Sequence, residues 1–142
     1  MSSPTLDEVL AAMKRALESI DGLRAHATEP DEPNFPCAYP RLVDWTYDET
    51  FADACDDRPT LYHFDLWVLV DLKVGLPRAQ AQLNPFISPV GRKSIKQALE
   101  RDERLGGCVD FVRLVSGGSY GTSTIGSLTC LAASMRAEVH AP

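Results

Sequence analysis

The stretch Leu61 to Val74, LYHFDLWVLVDLKV, decides the fold, because apolar residues occupy alternate positions along its whole length. Its even-numbered positions are all apolar: Tyr62, Phe64, Leu66, Val68, Val70, Leu72 and Val74. Alternation with a period of two is typical of a β-strand with one buried face. The odd-numbered positions mix Trp67 and Leu69 with charged residues, which favours a second face that is partly covered or covered by another subunit. The sequence therefore predicts a long central strand.

Other elements follow on both sides of this strand. Before it, a capping box that begins at Thr5 predicts a helix ended by Gly22, followed by a short strand over Leu23 to Thr28. A proline-rich loop at residues 29–36 leads into an extended segment over Ala38 to Tyr47, which pairs with the central strand as a hairpin with a long tip. Its larger residues are predicted to lie mostly on one side: Tyr39, Val43, Trp45 and Tyr47.

After the central strand, the pattern changes to helical spacing and then back to alternation. We predict a helix that opens at Leu76, a second over Arg92 to Asp102, and strands over Cys108 to Ser116 and Leu128 to His140. The glycine-rich run from Gly117 to Gly126 is interpreted as a flexible hairpin connection. A phosphate cradle is disfavoured there, since dinucleotide loops join a strand to a helix.

The resulting element order predicts one α+β domain spanning residues 1–142. Its mainly antiparallel sheet has strands of mixed length, with an N-terminal helix and two mid-chain helices packed on one face. A chain of 142 residues is long enough to bury a core without disulfides or metals. The opposite face of the sheet is expected to be only half covered.

Composition excludes some functions and favours others. The net charge of −6 disfavours sequence-independent nucleic-acid binding, which relies on Lys and Arg. There is no apolar run of membrane-spanning length and no secretory signal, so we expect folding in a cytoplasm. Charge is uneven: residues 29–58 carry nine acidic and two basic side chains, whereas residues 92–104 have a local charge of +2. Opposite local charges of this kind suit head-to-tail association into a ring.

Catalytic motifs are missing, so no enzyme activity, metal or cofactor is expected. The cysteines Cys37, Cys55, Cys108 and Cys130 are isolated and are interpreted as buried thiols. His63 is interpreted as a solvated strand residue. Two alternatives remain open: a hydrolase with a triad of Ser, Asp and either His63 or His140, and a small-molecule-binding domain with a pocket lined by Trp45, Trp67 and Leu69.

Short motifs along nearly the whole chain resemble the tail-terminator proteins of long-tailed bacteriophages, especially those of actinobacteria. The motifs are Ile20-Asp21-Gly22-Leu23-Arg24, the proline-rich loop before Tyr39-Pro40, Asp48-Glu49-Thr50-Phe51, Ser94-Ile95-Lys96-Gln97-Ala98-Leu99-Glu100, Leu105-Gly106-Gly107, and Tyr120-Gly121 before a long final strand. Head-completion and tail-completion proteins of the phage neck have similar size and are the nearest alternatives.

The resemblance implies a structural virion protein assembled in the host cytoplasm. Its subunits would form a ring, usually a hexamer, at the head-proximal end of the tail tube, where the ring stops tube polymerisation and meets the head connector. DNA would only pass through the lumen. The resemblance implies no catalytic residues, cofactor or membrane contact. Candidate contact residues are Asp48, Glu49, Asp53, Asp56 and Asp57 in the acidic loop, Trp67, the basic Arg92, Lys93 and Lys96, and Tyr120.

Overall fold

A computed structural model describes residues 4–47, 60–102 and 104–141. Within these ranges the chain forms three helices: α1 (Leu6–Glu18), α2 (Leu76–Ile87) and α3 (Ile95–Arg101). It also forms five strands: β1 (Arg24–Ala25), β2 (Cys37–Tyr47), β3 (Thr60–Asp71), β4 (Phe111–Ile125) and β5 (Leu128–Ala141). The strands build one sheet in the order β1-β2-β3-β5-β4, in which only β1 and β2 run parallel. The predicted α+β fold is confirmed.

The core lies between the helices and one face of the sheet, here called the inner face. The even-numbered residues of β3 supply its centre, and Phe64, Leu66, Val68 and Val70 are all fully buried. From β5, alternate residues between Leu131 and Val139 join the same cluster, and all three helices pack on it. Burial of each such side chain contributes roughly 1.5–3 kcal/mol. The period-two pattern therefore identified both the strand and its buried face, although β3 ends at Asp71, before Val74.

Helix α1 begins at the predicted capping box. Thr5 Oγ1 accepts a hydrogen bond from the Glu8 amide at 3.2 Å, and the Thr5 amide donates to Glu8 Oε2 at 3.3 Å. The helix ends at Glu18, so Ile20 lies beyond it yet remains buried. Gly22 adopts a φ of +80° in the turn that follows. The next strand, β1, is only two residues long and is much shorter than predicted.

Helix α2 matches its prediction, with proline in the first turn and Ala79, Leu83 and Phe86 buried. Helix α3 is shorter than predicted, because Ser94 caps it by accepting a hydrogen bond from the Gln97 amide at 3.1 Å. Residues 92–94 therefore precede the helix. None of the helices in the three described ranges is long and apolar enough to cross a membrane.

The interpretation of residues 117–126 as a flexible connection is wrong. Strand β4 continues through the glycines to Ile125, and only Gly126, with a φ of +60°, belongs to the turn before β5. Glycine contributes no side-chain packing to a strand. Pairing with β5, which extends to the end of both strands, therefore stabilises this part of β4. Two register shifts, between Leu114 and Ser116 and between Gly118 and Gly121, adjust β4 to its partner.

The prediction that the large residues of β2 share one side is also wrong. Strand β2 pairs with β3 as an antiparallel hairpin, as predicted, but its register shifts at Val43. Tyr39 pairs with Trp67, whereas Trp45 pairs with Tyr62, and directly paired residues lie on the same face. One extra residue in a strand reverses the face of every residue after it. Trp45 therefore lies on the inner face and Tyr39 on the opposite one.

Candidate functional site

The sheet face opposite the helices, here called the outer face, divides into an apolar half and a charged half. The apolar half is a second buried cluster: Cys37, Tyr39, Leu69, Cys130 and Ala132, with Trp67 at its margin. The proline-rich segment covers it, since the Tyr39 hydroxyl donates to Glu29 Oε1 at 3.2 Å and Phe35 packs on the cluster. Burial raises the pKa of Tyr39, and it raises the pKa of Cys37 to about 12. This half is closed by the chain itself.

Cross-strand pairs of polar and charged side chains occupy the charged half. They join Arg136 Nε to Asp65 Oδ1 at 2.9 Å, His63 Nδ1 to Asp44 Oδ1 at 2.6 Å, and Arg113 Nη2 to Glu138 Oε2 at 3.1 Å. All of these side chains retain contact with water, and exposed pairs contribute only about 0–1 kcal/mol each. The pairs therefore order this surface and balance its charge, and they contribute little to the stability of the fold.

The His63–Asp44 pair has two of the three parts that a hydrolytic triad requires. Among the described residues, no hydroxyl or thiol hydrogen-bonds to His63, whose Nε2 lies 3.9 Å from Glu138 Oε1. His140 stacks on Phe111 with ring centroids 4.0 Å apart, and burial lowers the pKa of His140. Within the described ranges, neither histidine is therefore hydrogen-bonded to a hydroxyl or a thiol. No group of three His, Cys, Asp or Glu side chains within the described ranges is arranged to hold a metal ion.

An apolar concavity lies between β4, β5 and the helices α2 and α3. Its volume is about 450 Å³. Its lining is mostly apolar. The apolar lining residues are Ile87, Leu114, Val115, Gly117, Ala133 and Met135, and Lys96, Ser116, Gly118, Tyr120 and Ser134 complete the lining. The Tyr120 hydroxyl donates to Asn84 Oδ1 at 2.9 Å and so ties β4 to α2. We call this concavity the β4 cavity.

Strand β4 forms one edge of the sheet, and side chains of α3 hydrogen-bond the backbone of one of its residues, Leu114. The Leu114 amide donates to Glu100 Oε2 at 3.1 Å, and Lys96 Nζ lies 3.4 Å from the Leu114 carbonyl oxygen. The same ammonium bonds both Glu100 oxygens, at 2.6 and 2.8 Å. At Leu114, a lysine–glutamate pair on a neighbouring helix thus provides the hydrogen-bond partners that a further strand would otherwise provide. From Ser116 to Tyr120 the edge is exposed.

Strand β2 provides the other edge. Its only partner on that side in the described chain is β1, which pairs with Cys37 and Ala38 alone. The remainder of β2 carries large exposed apolar residues: Val43 is 42% exposed, Trp45 49% and Tyr47 60%. Such surfaces usually mark contact sites. The predicted pocket of Trp45, Trp67 and Leu69 does not form, because the shift at Val43 places Trp45 on the inner face.

The predicted contact residues lie in separate places. Asp48, Glu49, Asp53, Asp56 and Asp57, together with the predicted loop that contains them, lie outside the described residues. Trp67 is on the outer face, and its indole Nε1 has no acceptor in the part of the chain that the structure describes. Arg92 is almost fully exposed and lies 3.9 Å from Asp21, whereas Lys93 lies over the Phe86 ring.

Two of the predicted contact residues, Lys96 and Tyr120, meet at the β4 cavity. Sequence reasoning missed the apolar wall formed by Leu114 and Met135, and also the part played by Glu100 at the strand edge. The spacing of Lys96 and Glu100, four residues apart on a helix, does predict an ion pair. Nothing in the sequence indicates that this pair binds the backbone of a strand.

The chain matches no protein-family model, and a search of curated proteins finds none that is significantly similar to it.

Proposed function

We propose that this chain is a structural subunit of a bacteriophage neck, which assembles as a ring on the head-proximal end of the tail tube. The ring, a hexamer in this proposal, ends tube polymerisation and joins the tube to the head connector. The observation that carries the proposal is the pair of unlike, exposed sheet edges on β2 and β4. Two different surfaces on one subunit are what a head-to-tail ring requires. The resemblance to tail-terminator proteins supplies the place in the virion.

The distribution of charge supports this proposal. DNA passes through the lumen of a neck ring, and a net charge of −6 keeps a ring subunit from binding phosphates tightly. The acidic segment 29–58 and the basic segment 92–104 provide opposite charges for an oriented contact between copies. Such charges steer association, while exposed apolar side chains contribute most of the affinity. Trp45, Tyr47 and Tyr120 are exposed residues of this kind.

The β4 cavity favours a second candidate function, the binding of a small apolar ligand. Its volume of about 450 Å³ falls in the range of about 300–1,000 Å³ that is typical of ligand sites. A ligand library screened by thermal stabilisation tests this alternative. A compound that raises the melting temperature of a monomeric protein, and loses this effect when Val115→Lys places a charge in the cavity lining, would favour ligand binding. Stabilisation that survives the substitution would place the compound elsewhere.

Light scattering across a range of concentrations, followed by negative-stain imaging, tests the ring. We expect a closed oligomer with a central hole. The second half of the test adds the protein to polymerising tail-tube subunits from the phage or prophage that carries its gene. We expect shorter tubes, each with a ring at one end. Tubes of unchanged length that carry no ring would contradict the proposed function, whatever the oligomeric state of the free protein.

A further inference from the structure

The two exposed edges differ in shape in a way that makes them complementary. The β2 edge presents bulky side chains, with Trp45 half exposed and Tyr47 more than half. The β4 edge presents glycines beside an apolar cavity. A Cβ at Gly118 would meet no atom within 4 Å, so another chain can approach the backbone closely. Exposed edges of this length are usually blocked in monomeric proteins, and here α3 blocks β4 only at Leu114.

We infer that the β2 edge of one copy pairs with the β4 edge of the next, and that Trp45 of the first copy enters the β4 cavity of the second. This inference rests on the proposed ring and names its subunit contact. Pairing of the two edges would continue one sheet across the boundary between copies. Affinity would come from main-chain hydrogen bonds, and specificity from the side chain that enters the cavity.

The faces of the sheet agree with this arrangement. Trp45 pairs with Tyr62, so it lies on the inner face of its own sheet. The β4 cavity also opens on the inner face, because Gly117 pairs with Met135 and Met135 belongs to the main core cluster. Within one copy β2 and β4 run in opposite directions, because each neighbouring pair between them is antiparallel. When β2 of one copy pairs antiparallel with β4 of the next, the two inner faces therefore lie on the same side. Trp45 of one copy is therefore on the side where the next copy has its cavity.

The register shift at Val43 is what makes this possible. Without the extra residue, Trp45 would share the face of Tyr39 and point away from the cavity side. With it, Trp45 reaches the inner face at a point where the chain's own helices leave it 49% exposed. A tryptophan held in a fully desolvated pocket is the residue that most often dominates an interface. The cavity, at about 450 Å³ with mostly apolar walls, accommodates an indole.

The contact is heterologous, since each copy donates one edge and accepts with the other. Copies joined in this way form a ring when the rotation between them closes. Closure also removes both exposed edges from every copy. A two-fold dimer, by contrast, would bring two β2 edges or two β4 edges together and would leave the cavities without indoles.

Two variants, each with one damaged edge, test the inference. Trp45→Arg damages the donating edge and leaves the cavity intact, whereas Val115→Lys places a charge in the apolar lining of the cavity and leaves Trp45 intact. Each variant alone should be monomeric. An equimolar mixture should form a one-to-one heterodimer and nothing larger, because only one competent contact remains. Val74→Arg, at a residue 39% exposed and outside the cavity lining, is the matched control and should assemble as the unchanged protein does.

Trp45 and Trp67 are the only tryptophans, so Trp67→Phe leaves one indole as a probe. On assembly, its emission should shift to shorter wavelength as Trp45 leaves water. Circular dichroism and melting temperature verify that each variant is folded.

The outcomes separate the inference from the function on which it rests. Full-size oligomers of folded Trp45→Arg or Val115→Lys would overturn the edge pairing and leave the ring intact. Two monomeric variants that do not combine would overturn it equally. A wild-type protein that stays monomeric at millimolar concentration would also overturn it, and the neck function would then be judged by tube capping alone.

Discussion

Substitutions at Glu100 measure how much an edge strand depends on a side chain that binds its backbone. Glu100 accepts from the Leu114 amide at 3.1 Å and bonds Lys96 Nζ at 2.6 Å. In Glu100→Ala, the amide of the β4 edge loses its acceptor, and the ammonium loses its partner. In Glu100→Gln, an oxygen remains for the amide but the charge is removed. In Lys96→Met, the carboxylate still serves the amide. These three variants separate the backbone hydrogen bond from the ion pair.

The expected magnitudes follow from the two interactions. A hydrogen bond to a charged group contributes about 1.5–3 kcal/mol, and a partly exposed ion pair about 0–1 kcal/mol. The Glu100 side chain is 31% exposed, so water partly replaces the lost acceptor and the lower part of the range applies. We expect Glu100→Ala to lower the free energy of unfolding by about 1.5–2 kcal/mol. Glu100→Gln and Lys96→Met should each lower it by about 0–1 kcal/mol.

Urea unfolding gives the free energies, and amide hydrogen exchange at Leu114 reports the hydrogen bond itself. The Leu114 amide should lose protection in Glu100→Ala and keep it in Lys96→Met. The matched control is Glu18→Ala, which breaks an i,i+4 pair with Lys14 at 3.5 Å that involves no strand. That control should cost about 0.5 kcal/mol or less. Equal losses for Glu18→Ala and Glu100→Ala, with unchanged exchange at Leu114, would refute the assignment of Glu100 to the strand edge.

Three further substitutions test other parts of the fold. Phe64→Ala empties a fully buried position at the centre of β3 and should cost about 3–5 kcal/mol in urea unfolding; a loss below about 1 kcal/mol would mean that Phe64 is not in the core. Thr5→Ala removes the cap of α1 and should cost about 1 kcal/mol, whereas Thr5→Ser should cost less; equal losses would argue against the capping bond. Burial, with a smaller effect of Cys130, raises the pKa of Cys37 from 9.0 to about 12. The unfolded thiol therefore ionises first, and stability should fall as pH rises from about 9 towards 12. Cys37→Ala should make this fall shallower, and an unchanged pH profile would contradict the shift.

The inner face of the sheet was predictable because burial imposes its own pattern. Each even-numbered residue of β3 from Phe64 to Val70 contacts the core, so the sequence alternates wherever the strand is covered. Helix α2 was equally clear, since its apolar residues recur at helical spacing and its first turn carries proline. The buried faces of these elements find their neighbours within one chain. Their sequence therefore contains all the information that places them.

The edges were not predictable in the same way. Alternation along β2 suggested one shared side for Tyr39 and Trp45, and a single unpaired residue, Val43, reversed it. Glycines between Gly117 and Gly121 carry no side chains to alternate, so the pattern of β4 disappears although the strand continues. The pairing of β4 with β5 is a long-range interaction, and local propensity gives little warning of it.

These two errors fall on β4 and on β2 beyond Ala38, the two strand segments that have a strand partner on one side only within the described ranges. An edge residue that packs solely within its own subunit is expected to be either apolar and buried or polar and exposed. Trp45 fits neither case: it is aromatic and 49% exposed, and the register shift at Val43 is needed to place it on the inner face. Gly117 likewise adds no packing to the wall that it lines. If a second copy supplies the missing neighbour, both departures have one cause, and loss of assembly in Trp45→Arg with retained folding is the result that this explanation requires.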